Sequence, residues 1–138
     1  MSYTVSANIP NDLKNWLHEK NASGTLKRDL KKLRVTFGAT TDRFWATDSD
    51  VYQWKNLPAQ MKADISSMTK NGQFTMIPTL VALGMGEDYV LVCQDAKCVK
   101  IKWKLDHYPE LREVIGVLLE QNKLGNLIVR HIDHLHVI

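Results

Sequence analysis

The stretches NIPNDLKNWLHEKNASG (residues 8–24) and NLPAQMKADISSMTKNG (residues 56–72) decide how this chain is read. Each opens with Asn, an aliphatic residue and Pro, and each closes on Asn and Gly near the expected end of a helix. Between these marks the apolar residues recur at helical spacing: Ile9, Leu13, Trp16 and Leu17 in the first, Leu57, Met61, Ile65 and Met68 in the second. Proline in the first turn and glycine beyond the last is the asymmetry of a capped helix. A third copy, HYPELREVIGVLLEQNKLG (residues 107–125), carries Leu111, Val114, Ile115, Leu118 and Leu119. Pro10, Pro58 and Pro109 stand 48 and 51 residues apart, a period that marks an internal repeat.

The text between the helices repeats as well. LRVTFGATTDRFWATDSDVYQWKNLP (residues 33–58) and TLVALGMGEDYVLVCQDAKCVKIKWKLDHYP (residues 79–109) each hold an apolar strand ending in Gly, Gly38 or Gly84. An Asp follows four positions later, Asp42 or Asp88; then come a second strand, an Asp-containing turn, and a third strand ending in Trp54 or Trp103. Each unit therefore reads helix–strand–strand–strand, and Trp54 and Trp103 are expected in the core as equivalent residues. Val99, Ile101, Trp103 and Leu105 alternate with Lys100, Lys102 and Lys104, which predicts a core face and a lysine face turned to water. LKRDLKKLR (residues 26–34) spaces Leu26, Leu30 and Leu33 for one face of a short helix.

These elements predict an α+β protein with three main helices and antiparallel meanders, strongly twisted into a barrel-like or two-blade arrangement. The 138 residues suit a single domain, 1–138, with repeat units at about 8–55, 56–106 and a truncated 107–138. FGATTDRFWATDSDVYQWKNLP and LGMGEDYVLVCQDAKCVKIKW resemble repeats of uncharacterised proteins of filamentous fungi, over roughly residues 30 to 131. The resemblance implies a repeat fold and a fungal source, and it carries no activity.

Composition narrows the function classes. The chain is 44% hydrophobic and 24% charged, an ordinary globular balance, and its net charge of +3 does not by itself indicate nucleic acid. No apolar run approaches the roughly 20 residues of a membrane span, and the N-terminal stretch has no signal-peptide pattern, so a cytoplasmic protein is expected. Cys93 and Cys98, the two cysteines, flank the turn QDAK; a two-residue loop at Asp95-Ala96 would place them opposite each other, with free thiols expected in a reducing cytosol. The cations at Lys27, Arg28, Lys31, Lys32 and Arg34 read as a solvated face, and no aromatic residue is interleaved among them as single-strand binding would require. P-loop, GxGxxG, GxSxG, HExxH and CxxC patterns are all absent, so no cofactor and no metal are assigned.

Two places in the chain suggest chemistry. HIDHLH (residues 131–136) holds three of the five histidines at the position of the first strand–strand connection. His131, Asp133, His134 and His136 are the acid–base candidates, since a carboxylate beside an imidazole fixes its tautomer and tunes its basicity. The second place is an apolar cavity expected to be lined by Trp45, Tyr89, Met76 and Met85. Trp45 departs from the repeat, where Leu91 is its approximate counterpart, and one of Phe44 and Trp45 must turn away from the core. Asp42 and Asp88 read as turn-formers. The chain is thus expected to be a binding module for a protein partner or a small apolar molecule. The alternative is a cofactor-independent isomerase, cyclase or pericyclase with a His/Asp acid–base group in an aromatic pocket.

Overall fold

A computed structural model describes residues 9–40 and 42–120, together with the backbone of residues 128–131. The chain divides into two compact units, Met1–Leu57 and Pro58–Ile138, and the division falls beside the repeat boundary read from the helix prolines.

The first unit is a helix on a three-stranded meander. Pro10 caps α1 (Asn11–Leu17), whose Leu13, Trp16 and Leu17 pack on Phe44 and Ala46. Strands β1 (Arg34–Phe37), β2 (Phe44–Thr47) and β3 (Tyr52–Lys55) pair antiparallel in sequence order. Leu26 lies in an isolated bridge, Leu30 in a turn and Leu33 in irregular chain, instead of the expected short helix. The cause is local: Lys20 bridges to Leu26, and the buried Arg28 side chain bonds the Trp16 carbonyl (3.3 Å), pairs with Glu19 and covers the Trp16 ring at 4.3 Å. A guanidinium so engaged ties this segment back onto α1.

The second unit repeats the order with additions. After α2 (Ala59–Ser67), β4 (Thr69–Lys70) and β5 (Gln73–Phe74) form a small hairpin. Asn71 and Gly72, expected at a helix end, are its two-residue turn: both have positive φ, 53° and 77°, as a type I′ hairpin requires. Strands β6 (Ile77–Leu83), β7 (Tyr89–Gln94) and β8 (Cys98–Lys104) form the second meander. Helix α3 (Pro109–Glu120) then crosses over, and β9 (Ile128–His131) joins β8 in parallel.

The barrel-like or two-blade arrangement is corrected by this topology. Among the described residues the strands form three separate open sheets, of three, two and four strands, which neither close nor curl strongly. The third copy does not begin another meander in the described residues, because a helical crossover returns the chain in the direction of β8 and the new strand extends the second sheet. The α+β class, the three helices and the antiparallel meanders are as expected.

The four-stranded sheet has two covered faces. Val99, Ile101, Trp103 and Leu105 pack with Ile115 of α3, with Val90, Val92, Tyr108 and Leu119 around them. On the other face Tyr89, Leu91 and Cys93 are buried, and so is Lys102, which was expected in water. Asp64 of α2 accounts for the difference. Its Oδ1 lies 3.4 Å from Lys102 Nζ, and its Oδ2 accepts the Tyr89 hydroxyl. The helix that covers this face supplies the anion that a buried lysine needs.

The Trp residues also differ from expectation. Trp103 is fully buried, at 0% exposure, but Trp54 is 38% exposed. Alternation in β2 sends Phe44 and Ala46 toward α1, so Trp45 and its cross-strand partner Trp54 share the opposite face.

Candidate functional site

The expected cavity residues are divided between the two units. Trp45 belongs to the first unit, where it is buried beneath Trp54 (ring centroids 5.3 Å apart, planes 5° from parallel) and touches Tyr52 at 5.5 Å. Tyr89, Met76 and Met85 belong to the second unit. Within it Tyr89 is buried with its hydroxyl bonded to Asp64, Met76 is buried, and Met85 is exposed. Of the histidine cluster, the backbone of His131 ends β9 opposite Ile101; Asp133, His134 and His136 lie outside the described residues. Among the described residues no group of three or more His, Cys, Asp or Glu side chains is placed to hold a metal. No described helix is long and apolar enough to cross a membrane.

Cys93 and Cys98 are free, buried thiols, and they are not opposite each other: Cys93 faces Lys100 across the ladder. The turn falls one residue later than expected, at Ala96-Lys97: Asp95 N bonds Cys98 O (3.1 Å), and Asp95 Oδ1 accepts from Lys97 N (2.8 Å) and Cys98 N (2.9 Å). Burial pushes the Cys93 thiol up to about 12, against the pull of the nearby Lys102.

A His–Asp pair is present at another place. The loop Gly84–Asp88 closes on itself through Gly84 N to Asp88 O (2.9 Å) and Asp88 N to Met85 O (3.0 Å). It lies against His107 and Tyr108, the residues that lead into α3. Two glycines permit the approach: a Cβ at Gly84 would sit 2.7 Å from Tyr108 Cε2, and one at Gly86 would sit 3.0 Å from His107 Cε1. Tyr108 Oη accepts from Met85 N at 3.2 Å. The Asp88 carboxylate is wholly buried, and its Oδ2 accepts both His107 N (2.7 Å) and His107 Nδ1 (2.9 Å). Asp88 Oδ1 has no hydrogen-bond partner among the described residues, while the imidazole side chain is 47% exposed.

An ionised carboxylate only accepts, so the proton of the neutral ring sits on Nδ1 and the lone pair is left on Nε2. Beside the pair, Lys104 and Asp106 form an ion pair. The hydrogen bond to Asp106 holds the Lys104 ammonium above its usual range although burial opposes it, and Asp88 and Glu87 add to the rise. The same hydrogen bond holds Asp106 below the usual carboxylate range.

The first unit shows what this place does without a dyad. Arg43 immediately precedes β2 as Asp88 precedes β7, and Gly38 N bonds Arg43 O (2.9 Å) just as Gly84 N bonds Asp88 O. Asn56 stands two positions before Pro58, as His107 stands before Pro109. Arg43 Nε donates to Asn56 O (2.6 Å), and Asn56 Nδ2 donates to the carbonyl of Asp42 (3.0 Å). Both copies thus clasp the helix entry to the first strand–strand loop. Asp42, paired with Asp88 by its spacing from Gly, is exposed, because the first loop is one residue longer. His107 was the residue missed, and the signal for it was its place in the repeat, where Asn8 and Asn56 stand.

Helix α3 carries the other unusual surface. Leu111, Val114 and Val117 are 44%, 53% and 42% exposed, although Ile115 and Leu119 already fill the sheet side. No large apolar side chain of α1 or α2 is exposed in this way. Glu110 and Glu113 stand one turn before Val114 and Val117 and border the stripe with negative charge. Set beside protein-family models, curated proteins and solved structures, the chain matches none of them.

Proposed function

We propose that the chain is a small cytoplasmic binding module for a protein partner, contacted through the outer stripe of α3. The observation that carries this reading is the exposure of Leu111, Val114 and Val117 on a helix whose other apolar side is already packed. A contiguous apolar stripe in water is unfavourable unless something covers it, and apolar residues spaced about a turn apart along one face are the anchors by which a helix enters a groove. The acidic border made by Glu110 and Glu113 matches a partner whose apolar groove has a basic rim. Two buried thiols with no bridge agree with a reducing compartment.

The test is a photo-crosslinking residue placed at Val114, with Glu120 as the off-stripe control, in cells that make the protein. One discrete adduct from position 114 and none from 120 is expected. The partner so identified, once purified, loses affinity about tenfold or more on Val114→Asp. No discrete adduct, or an affinity that Val114→Asp leaves unchanged, overturns the reading.

A further inference from the structure

We propose that Asp88 and His107 form an acid–base dyad, in which the outward Nε2 of His107 takes a proton from a neutral or cationic substrate. The clasp at the entry to α3 needs only the bond from His107 N to Asp88 Oδ2. The first unit closes the same clasp with Arg43 and Asn56, and so without burying a carboxylate or exposing an imidazole. In the second unit a wholly buried carboxylate reaches the ring as well, and its other oxygen stays unpaired among the described residues. A buried carboxylate oxygen without a hydrogen bond is destabilising, and the entry to a helix does not require one.

The arrangement suits proton transfer. Asp88 fixes the tautomer that leaves the lone pair on Nε2, and its charge stabilises the imidazolium that forms when the proton arrives. Asp88 is therefore a positioning residue and His107 the group that meets the substrate. The charges around the ring select the substrate class. Glu87, Asp88 and Asp106 outnumber the cations Lys104 and Arg112, and Lys104 is already paired with Asp106, so phosphates and carboxylates are disfavoured. Exposed Met85 and the ring of Tyr108 supply apolar surface on either side. The fitting substrate is a neutral or cationic molecule with an apolar body and an acidified C–H or O–H. This site is separate from the outer stripe of α3, and neither reading rests on the other.

The probe is 5-nitrobenzisoxazole, a neutral carbon acid. In its ring opening the C3–H proton passes to the base, the C–H electrons complete a nitrile, the N–O bond breaks and the phenolate leaves. The protonated ring then returns its proton to water. The intact protein is expected to open this probe about tenfold or more faster than the same concentration of free imidazole. His107→Asn places in the second unit the residue that the first unit uses at this position, so the clasp and the fold are kept and the rate falls to background. Asp88→Asn keeps its amide oxygen toward His107 N, so the ring proton stays on Nδ1 while the charge that stabilises the imidazolium is lost, and the rate is expected to fall about tenfold or more; nitrogen-15 shifts of His107 report the tautomer directly. A carboxylate-bearing benzisoxazole is expected to lose more rate, relative to free imidazole, than the neutral probe. A folded wild-type protein no faster than free imidazole, or one whose His107 carries its proton on Nε2, overturns the proposal, and so does a His107→Asn variant that keeps the rate.

Discussion

Lys102 reaches Asp64 beneath α2, with Nζ 3.4 Å from the carboxylate and both side chains buried. Tyr89 donates to the same carboxylate and Ser67 Oγ lies 3.4 Å from the ammonium, so the group ties helix to sheet by four side chains. Removing one partner leaves a buried charge unmatched. Lys102→Met is expected to cost about 3 kcal/mol in urea unfolding, and Asp64→Leu a similar amount. The double substitution is expected to recover most of the loss, because two apolar side chains replace a desolvated pair. A double variant whose cost equals the sum of the singles would show that the two residues do not act on each other.

Trp103 and Trp54 occupy the same place in the repeat and have opposite surroundings. Trp103→Ala empties a fully buried site against α3 and is expected to cost about 3–5 kcal/mol. Trp54→Ala removes a ring that is 38% exposed and rests on Trp45, with an expected cost of about 1 kcal/mol. It is also expected to shift tryptophan emission to the red, as Trp45 becomes wetter, and to remove the exciton couplet of the stacked rings from the circular dichroism spectrum. Equal costs for the two variants would contradict the difference in packing.

The same pair shows where the sequence was legible. Prolines, Gly-ended strands and Asp turns repeat because backbone geometry demands them locally, and so element order and the antiparallel meanders can be read residue by residue. What covers a sheet face is not local. Alternation in β8 identifies two faces correctly, yet it cannot say that α2 brings Asp64 over Lys102 or that Trp54 stays partly open. The dyad was obscured for another reason. Counting four residues from each Gly paired Asp88 with Asp42, whereas the strand register pairs it with Arg43, and that single-residue difference hid the clasp to His107.

Asp48 gives the fold a dependence on acid. Its carboxylate accepts from the backbone N–H groups of Asp50 (3.1 Å), Val51 (3.0 Å) and Asp29 (3.2 Å). Burial favours the neutral acid, but these bonds and the charge of Arg28 outweigh it and hold the carboxyl below its usual 3.8. A carboxyl depressed by folding adds stability that is complete above its unfolded value and lost as pH falls through its folded value. Asp48→Ala is therefore expected to be about 1–2 kcal/mol less stable than wild type near pH 7, as for a lost turn or cap acceptor. The gap is expected to close as pH drops below 3.8, followed by urea midpoints of both proteins. A gap that stays constant into acid would mean that the charge contributes nothing.

Gly84 and Gly86 separate two reasons for having no side chain. Gly84 has an ordinary backbone, but a Cβ there meets Tyr108 at 2.7 Å, against a ring whose hydroxyl accepts from Met85 N. Gly86 combines a left-handed φ of 58° with a Cβ position 3.0 Å from the imidazole of His107. Gly24 has the left-handed φ alone, 86°, with nothing within 4 Å. Gly24→Ala should therefore show backbone strain only, about 1 kcal/mol, and Gly24→Asn should largely relieve it, since Asn tolerates that region. Gly84→Ala should displace Tyr108 and loosen the loop without backbone strain. Gly86→Ala should combine both effects, about 2 kcal/mol or more, and Gly86→Asn should recover little because the contact with His107 remains. Urea unfolding ranks the variants, and amide exchange at Met85 reports whether its bond to Tyr108 survives. A Gly86→Asn variant as stable as wild type would mean that the imidazole yields freely, and that the loop does not hold His107 in place.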